Sequence, residues 1–222
     1  MADVINGFLF KKVDSHDTRM METVYRLRFE VYARQCNFIR EEDYPLELES
    51  DEYDPHSIHF VAINPEGVVI ATVRMILINE KLSPLLKAFP KLPLQYNFSC
   101  GSVTEISRMI ICKKLRTSNN FTNRLARCDQ SPRLSSYATI VHGLCQEIYQ
   151  ETESRGITHW GALMEKGLWG LLRIYGIKMK CVGPDVDFFG PVRPYIGSVA
   201  DFNKSRSITP VLAVHAQNVA LQ

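Results

Sequence analysis

The order of hydrophobic patterns along the chain predicts an α/β (α+β) fold with a mixed central sheet flanked by helices. Three observations carry that expectation. Short runs rich in β-branched and aromatic residues recur around two longer stretches of helical spacing. Turn and stop signals fall between them at Asn64-Pro-Glu-Gly67, Gly156 and Gly176. The 222 residues, 45% of them hydrophobic, suffice for one sizeable core. A single domain over 1–222 is therefore expected, with a basic insertion at about 113–134 and a short tail at about 203–222.

Each element has its own signal. Phe8 to Val13 reads as a short strand, and Thr18 to Gln35 as a helix with Met20, Met21, Val24, Leu27, Val31 and Tyr32 in one stripe at about 100° per residue. Residues 57–64 and 68–78 read as strands joined by the 64–67 turn. Residues 103–112 make a third central strand. A helix from about Ser135 to Thr152 places Ile140, Leu144 and Ile148 at helical spacing, with Gly156 beyond its end. A strand at 157–164, a helix at 165–175, a strand at 177–182 and a last strand near 192–199 complete the pattern.

One residue breaks the pattern. Arg28 points with the Met and Val side chains of the first helix, whereas Glu22, Arg26, Glu30 and Arg34 line a solvated face at i, i+4 spacing. An arginine there either snorkels to water or meets carboxylates in a built polar site. The next segment supplies the carboxylates: Glu41, Glu42, Asp43, Glu47, Glu49, Asp51, Glu52 and Asp54 follow with no Lys or Arg among them, and the run ends at the entrance of a strand.

Composition narrows the function classes. No apolar run approaches the roughly 20 residues of a membrane span, and the N-terminus has neither the basic start nor the apolar centre of a signal peptide, so a cytoplasmic protein is expected. The six cysteines show no C-x-x-C spacing and read as reduced core thiols. His142 and Cys145 have a spacing that suits a metal, but no second pair completes a site, so no metal is expected. The net charge of +2 is unevenly spread: Arg108, Lys113, Lys114, Arg116, Arg124, Arg127 and Arg133 are opposed between them only by Asp129. Without a stacking-aromatic pattern or recognition helix, this stretch suggests an acidic protein partner rather than nucleic acid.

Arg28, Tyr32, Gln35 and Phe38, followed by Glu49-x-Asp51-x-Tyr53-Asp54, then Arg74 and Glu105-Ile-Ser107-Arg108, resemble the ordered motifs of the acyl-homoserine-lactone synthases. The C-terminal half, with Gly-Ile-Thr-His-Trp at 156–160 and Gly-Pro-Val-Arg-Pro-Tyr at 190–195, is more similar to a sister group. That group is the acyltransferases associated with PEP-CTERM/exosortase systems, related to long-chain N-acyl amino acid synthases. Together the resemblance covers roughly residues 8–202. It implies the fold of the N-acetyltransferase (GNAT) superfamily and transfer of a fatty acyl chain to an amine. Where the lactone synthases have a Trp beside the S-adenosylmethionine pocket, this chain has Phe38, which favours an amino acid over S-adenosylmethionine as the acceptor. The alternatives are a lactone synthase and a catalytically silent fold that binds carrier protein or lipid.

The donor implied is the acyl-phosphopantetheine of acyl carrier protein, with no permanently bound cofactor. GNAT folds grip coenzyme A with a glycine-containing loop, but Cys112 to Asn123 contains no glycine. Lys113, Lys114 and Arg116 would instead dock the acidic carrier. Aminolysis of a thioester needs a base near the nitrogen and donors near the oxyanion. Glu105 is the expected base, acting through water, while Arg28 and Arg108 would hold Asp51, Asp54 and the substrate carboxylate. Tyr32, Phe38, Arg74, Ser107, His159 and Trp160 are expected at the substrate, although His159 also fits a satisfied core histidine. A purely structural ion-pair network is the competing reading of Arg28, Asp51, Asp54 and Arg108. Because Glu105 and Arg108 are three apart, service at one site requires a bulge near Ser107.

Overall fold

The computed structural model describes residues 3–78, 83–89, 102–112, 132–188 and 190–206. Lys113, Lys114 and Arg116, most of the basic insertion and the tail beyond 206 lie outside the described residues. The chain forms two compact units, Met1–Leu77 with Ile106–Glu151, and Ile78–Glu105 with Thr152–Gln222.

Its elements run β1 (Asp3–Ile5), β2 (Phe8–Lys12), α1 (Thr18–Phe29), β3 (Ser57–Ile63), β4 (Val69–Leu77), α2 (Pro84–Ala88) and β5 (Val103–Ile111). They continue with α3 (Pro132–Ser154), β6 (His159–Met164), α4 (Lys166–Ile174), β7 (Lys180–Cys181), β8 (Val186–Asp187), β9 (Pro191–Ser198) and α5 (Val199–Arg206). The edge strands β1 and β8 and the helices α2 and α5 carried no sequence signal. The expected strand at 177–182 is reduced to two residues.

In the first unit the strand order is β1-β2-β3-β4-β5, with antiparallel pairing from β1 through β4. The β3–β4 turn needs a left-handed residue, and Gly67 supplies it at φ +80° while its N–H returns to Asn64 O at 2.9 Å. Both sheet faces are covered, which is why β3 and β4 read as nearly unbroken apolar runs. On one face Val61, Ile63, Val69, Ile110 and Cys112 meet Val24 and Leu27 of α1 and Val31 just beyond it. The opposite face receives α3 so closely that a Cβ on Gly143 would overlap the ring of Phe10. Polar ties at the rim, Lys12 to Glu151 at 2.9 Å and Gln150 to Asp3 at 2.9 Å, fix the end of α3 over β1 and β2.

In the second unit β5 pairs in parallel with β6, β6 antiparallel with β9, and β9 with both β7 and β8. Leu85 and Ile196 centre a core that Leu86, Phe89, Leu163 and Val182 complete. Gly161 leaves room for Leu85 against β6. The indole of Trp169 stacks on Tyr195 with centroids 5.6 Å apart and donates to Met179 O at 2.8 Å, so α4 is anchored by area and by one satisfied polar atom. As the stop signal implied, Gly156 sits at φ +67° just past α3. Among the described residues no helix is long and apolar enough to cross a membrane.

Candidate active site

The first unit gathers three arginines and three carboxylates into one network. Asp17 caps α1 by accepting from Met20 N at 2.9 Å, which sets the helix phase so that Val24, Leu27 and Arg28 share its buried side. The expected single helix to Gln35 is corrected: the α-helix ends at Phe29 and Glu30–Gln35 is π-helical, with Cys36 N bonded to Val31 O at 3.0 Å. Periodicity alone does not reveal an added residue per turn, and such segments recur at functional sites. Beyond it Phe38 N donates to Tyr32 O at 2.8 Å, and the Tyr32 ring lies 5.5 Å from the Arg108 guanidinium and 6.2 Å from the Phe38 ring.

The acidic segment folds back on α1 through Glu49 N to Tyr25 O at 3.1 Å. Its Glu-x-Asp-x-Tyr-Asp motif then caps itself. Asp51 Oδ1 accepts from Tyr53 N at 2.9 Å, and Asp54 Oδ2 accepts from Asp51 N at 2.7 Å, the short-range bonding that makes Asp a turn residue. These bonds aim three carboxylates at three cations.

Arg28 donates from Nη1 and Nη2 to the two oxygens of Asp54, at 2.7 and 3.2 Å, and from Nε to Glu49 Oε2. Arg74, from β4, donates from Nη1 to Asp51 at 2.5 Å and to Asp54 at 2.8 Å, and from Nε to Ser107 Oγ at 3.0 Å. Arg108 donates to Glu49 at 2.9 Å and to Asp51 at 3.0 Å. Three cations thus face three anions with no formal excess. Side-chain exposure grades across them: Arg28 and Arg74 0%, Glu49 and Asp54 2%, Arg108 14% and Asp51 22%. Asp51 and Arg108 form the accessible edge.

The expected pairing of Arg28 and Arg108 with Asp54 and Asp51 is present, with two further members: Glu49 accepts from both Arg28 and Arg108, and Arg74 donates to both Asp51 and Asp54. The Arg28 side chain, 0% exposed, is enclosed by its partners. Glu49 received no role from the sequence, although it opens the quoted motif. The needed signal was arithmetic: three arginines in the motifs require three acids if all are buried.

Arg108 lies in a left-handed conformation at φ +53° within β5. The strand is therefore irregular at Arg108 itself, one residue past the expected position. A non-glycine residue in that region costs on the order of 1–2 kcal/mol, which the bonds to Glu49 and Asp51 offset.

Electrostatics follow from enclosure. Burial alone would lower Arg28 and raise Asp54, but charge and hydrogen bonds prevail: Glu49 and then Asp54 hold Arg28 above its ordinary value, and Arg28, with Arg74 assisting, brings Asp54 down to about 2. Burial also pushes Tyr32 up. His59 of β3, 3% exposed, is brought down to about 4 by burial and by Arg28 and Arg74, against the pull of Asp54.

These shifts set an acid response. Unfolded, His59 takes up a proton near pH 6.5; folded, only near 4. Stability is thus lost as pH falls from 6.5 through 4, by about 3 kcal/mol at 1.36 kcal/mol per unit. The Asp54 contribution is complete above 3.8 and lost as pH falls through about 2. Denaturant midpoints should fall steadily from pH 7 to pH 4 and further below. His59→Phe should flatten the first part of that decline, and a wild-type midpoint constant from pH 7 to pH 4 would contradict the assignment.

Glu105, His159 and Trp160 belong to the second unit. Glu105 is 1% exposed, and its Oε2 accepts from Leu85 N at 2.9 Å and from Ser83 Oγ at the start of α2. In the β5–β6 register Glu105 faces Gly161 and Thr104 faces Trp160. His159 Nδ1 lies 3.0 Å from Thr158 Oγ1, and Trp160 packs on Phe202 with centroids 5.0 Å apart. Lys113, Lys114 and Arg116, expected to dock the carrier, are outside the described residues.

Residues 27–125 match the family model of the acetyltransferase (GNAT) domain, a stretch that contains the whole arginine–carboxylate network. No curated protein matches the chain by sequence. Solved structures match over nearly its full length. TofI, in a ternary complex with an inhibitor and MTA, is 16% identical with a TM-score of 0.63, covering 86% of this chain and 91% of that one. MesI, a CoA-dependent acyl-homoserine lactone synthase, is 15% identical with a TM-score of 0.61, covering 90% and 94%. FeeM, an N-acyl amino acid synthase from uncultured soil microbes, is 12% identical with a TM-score of 0.59, covering 89% and 94%. The fold is therefore GNAT-like: α/β, with a mostly antiparallel sheet flanked by helices.

Proposed function

We propose that this protein is an N-acyltransferase that moves a fatty acyl chain from the phosphopantetheine thioester of acyl carrier protein to the amine of an amino acid. The observation that carries the reading is the closed network of Arg28, Arg74 and Arg108 with Glu49, Asp51 and Asp54, graded from a sealed interior to an accessible Asp51. A structural network alone has no need of such an edge. The fold, shared with synthases of acyl-homoserine lactones and N-acyl amino acids, supports the same class of reaction.

In the reaction, the amine nitrogen attacks the thioester carbon, a C–N bond forms, the C–S bond breaks and the thiol leaves with a proton. Glu105 is the proposed base, through a water. Arg108 and Asp51 are the proposed contacts to the acceptor's charged groups, with Tyr32, Phe38, His159 and Trp160 at the substrate. We read a likeness to the exosortase-associated acyltransferases in residues 156–160 and 190–195, and a cytoplasmic setting, where Cys36, Cys112, Cys145 and Cys181 stay unpaired.

Purified protein offered carrier proteins loaded with C8 to C16 chains, a pool of amino acids and S-adenosylmethionine should yield N-acyl amino acids by mass. Acyl-homoserine lactone instead would establish the lactone synthase reading, and no product from any donor the silent one. MesI is CoA-dependent, so the donor needs its own test. Replacing Lys113, Lys114 and Arg116 with Ala should raise the carrier's KM, and added salt should weaken the wild type likewise. Coenzyme A thioesters turned over equally, without response to salt or to those substitutions, would refute carrier docking.

A further inference from the structure

Two buried polar groups in the first unit are not used by the arginine–carboxylate network. Arg74 commits Nε to Ser107 and Nη1 to Asp51 and Asp54, but its Nη2 has no hydrogen-bond partner although the side chain is 0% exposed. His59 stands directly opposite Arg74 in the β3–β4 register, and neither ring nitrogen makes a hydrogen bond of good geometry, although the Asp54 backbone lies near enough to favour the protonated ring weakly. Cross-strand neighbours have Cβ atoms about 5 Å apart. Two orphans at one such pair point to a shared requirement, because buried donors and acceptors in native proteins are satisfied by protein or ordered water.

Charge decides which nitrogen of His59 does what. Asp54, Arg28, Arg74 and the edge-on ring of Tyr25 surround the imidazole. Its Nε2 lies 3.5 Å from Asp54 Oδ1, an oxygen that already accepts from Arg28 and Arg74. A lone pair facing that carboxylate would be repelled, so Nε2 carries the hydrogen and Nδ1 offers the lone pair. An acceptor on His59 thereby complements the unused donors of Arg74.

We propose that His59 is a positioning residue for Arg74: its Nδ1 accepts from Arg74 Nη2 through one bridging water, which fixes the guanidinium that presents Asp51. Only the kinetic part of this proposal rests on the acyltransferase reading.

The test uses the intact protein. Nitrogen-15 NMR at pH 7 should find His59 as the Nε2–H tautomer and Arg74 Nη2 in slow rotation; an Nδ1–H tautomer overturns the proposal whether or not the protein transfers acyl groups. Substitutions supply the kinetic arm. The Asn side chain places its carbonyl near the Nδ1 position, Gln places its polar group near Nε2, and Phe keeps the shape with neither. His59→Phe and His59→Gln should each raise the acceptor KM about tenfold, the scale of one buried hydrogen bond, with a smaller change in kcat. His59→Asn should recover most of that loss along with slow Arg74 rotation. Equal behaviour of the Asn and Gln variants, or no effect in either, overturns the idea. If His59→Phe fails to fold, the Asn and Gln pair still decides.

Discussion

Arg28→Ala should lose about 3–5 kcal/mol of stability, the usual penalty for removing one partner of a buried ion pair. The loss falls on two acids at once, since the side chains of Glu49 and Asp54 are each 2% exposed and both accept from Arg28. Each keeps one further arginine, Arg108 or Arg74, so the site loosens without losing all compensation. In a chain of this size 1 kcal/mol moves Tm by about 2–4 °C, and a fall of roughly 6–20 °C is expected by calorimetry. Arg28→Lys keeps the charge but cannot make the two-pronged contact with Asp54, so it should recover only part of the loss. Asp51→Asn, at the accessible edge, should cost less stability than Asp54→Asn while lowering activity at least as much. An unchanged Tm in Arg28→Ala would mean that the buried network holds nothing together.

Glu105→Gln should lower turnover by about 10²-fold or more, the scale of a lost general base, with little change in Tm. The amide oxygen can still accept from Leu85 N and Ser83 Oγ, the two bonds that tie this side chain to the start of α2. Glu105→Ala removes that acceptor from a buried position, where an unmet donor costs about 1–3 kcal/mol; it should therefore lose stability as well as activity. Comparing the two variants separates the carboxylate's chemistry from its place in the fold. If Glu105→Gln is fully active while Asp51→Asn is inactive yet stable, the base lies in the acidic segment and Glu105 is a strut.

Much of this could be read from the chain itself. The strands β3, β4, β5 and β6 and the helices α1, α3 and α4 announce themselves because a sheet covered on both faces demands unbroken apolar runs and a covered helix demands a stripe. Arg28 was conspicuous for the same reason, since a cation within a stripe violates a pattern set by burial. The Glu-x-Asp-x-Tyr-Asp motif contains its own turn, because Asp51 and Asp54 bond to backbone only two and three residues away. Such contacts are written in local order.

What the sequence could not supply was assignment across distance. Which arginine meets which acid depends on β3–β4 register, on the π-helical turn after Phe29 and on the left-handed Arg108, and none of these leaves a periodic trace. Hence Glu49 went without a role, and His59 was an unremarkable strand residue until the register set it opposite Arg74. The chain by itself determined that α1 carries a cation within its apolar stripe and that a run of carboxylates follows it, so that Arg28, if buried, must meet them, since an unpaired buried charge is too costly to keep. Only the tertiary structure decided the pairing and left Asp51 at the accessible edge, because direction and exposure are properties of packing and not of order along the chain.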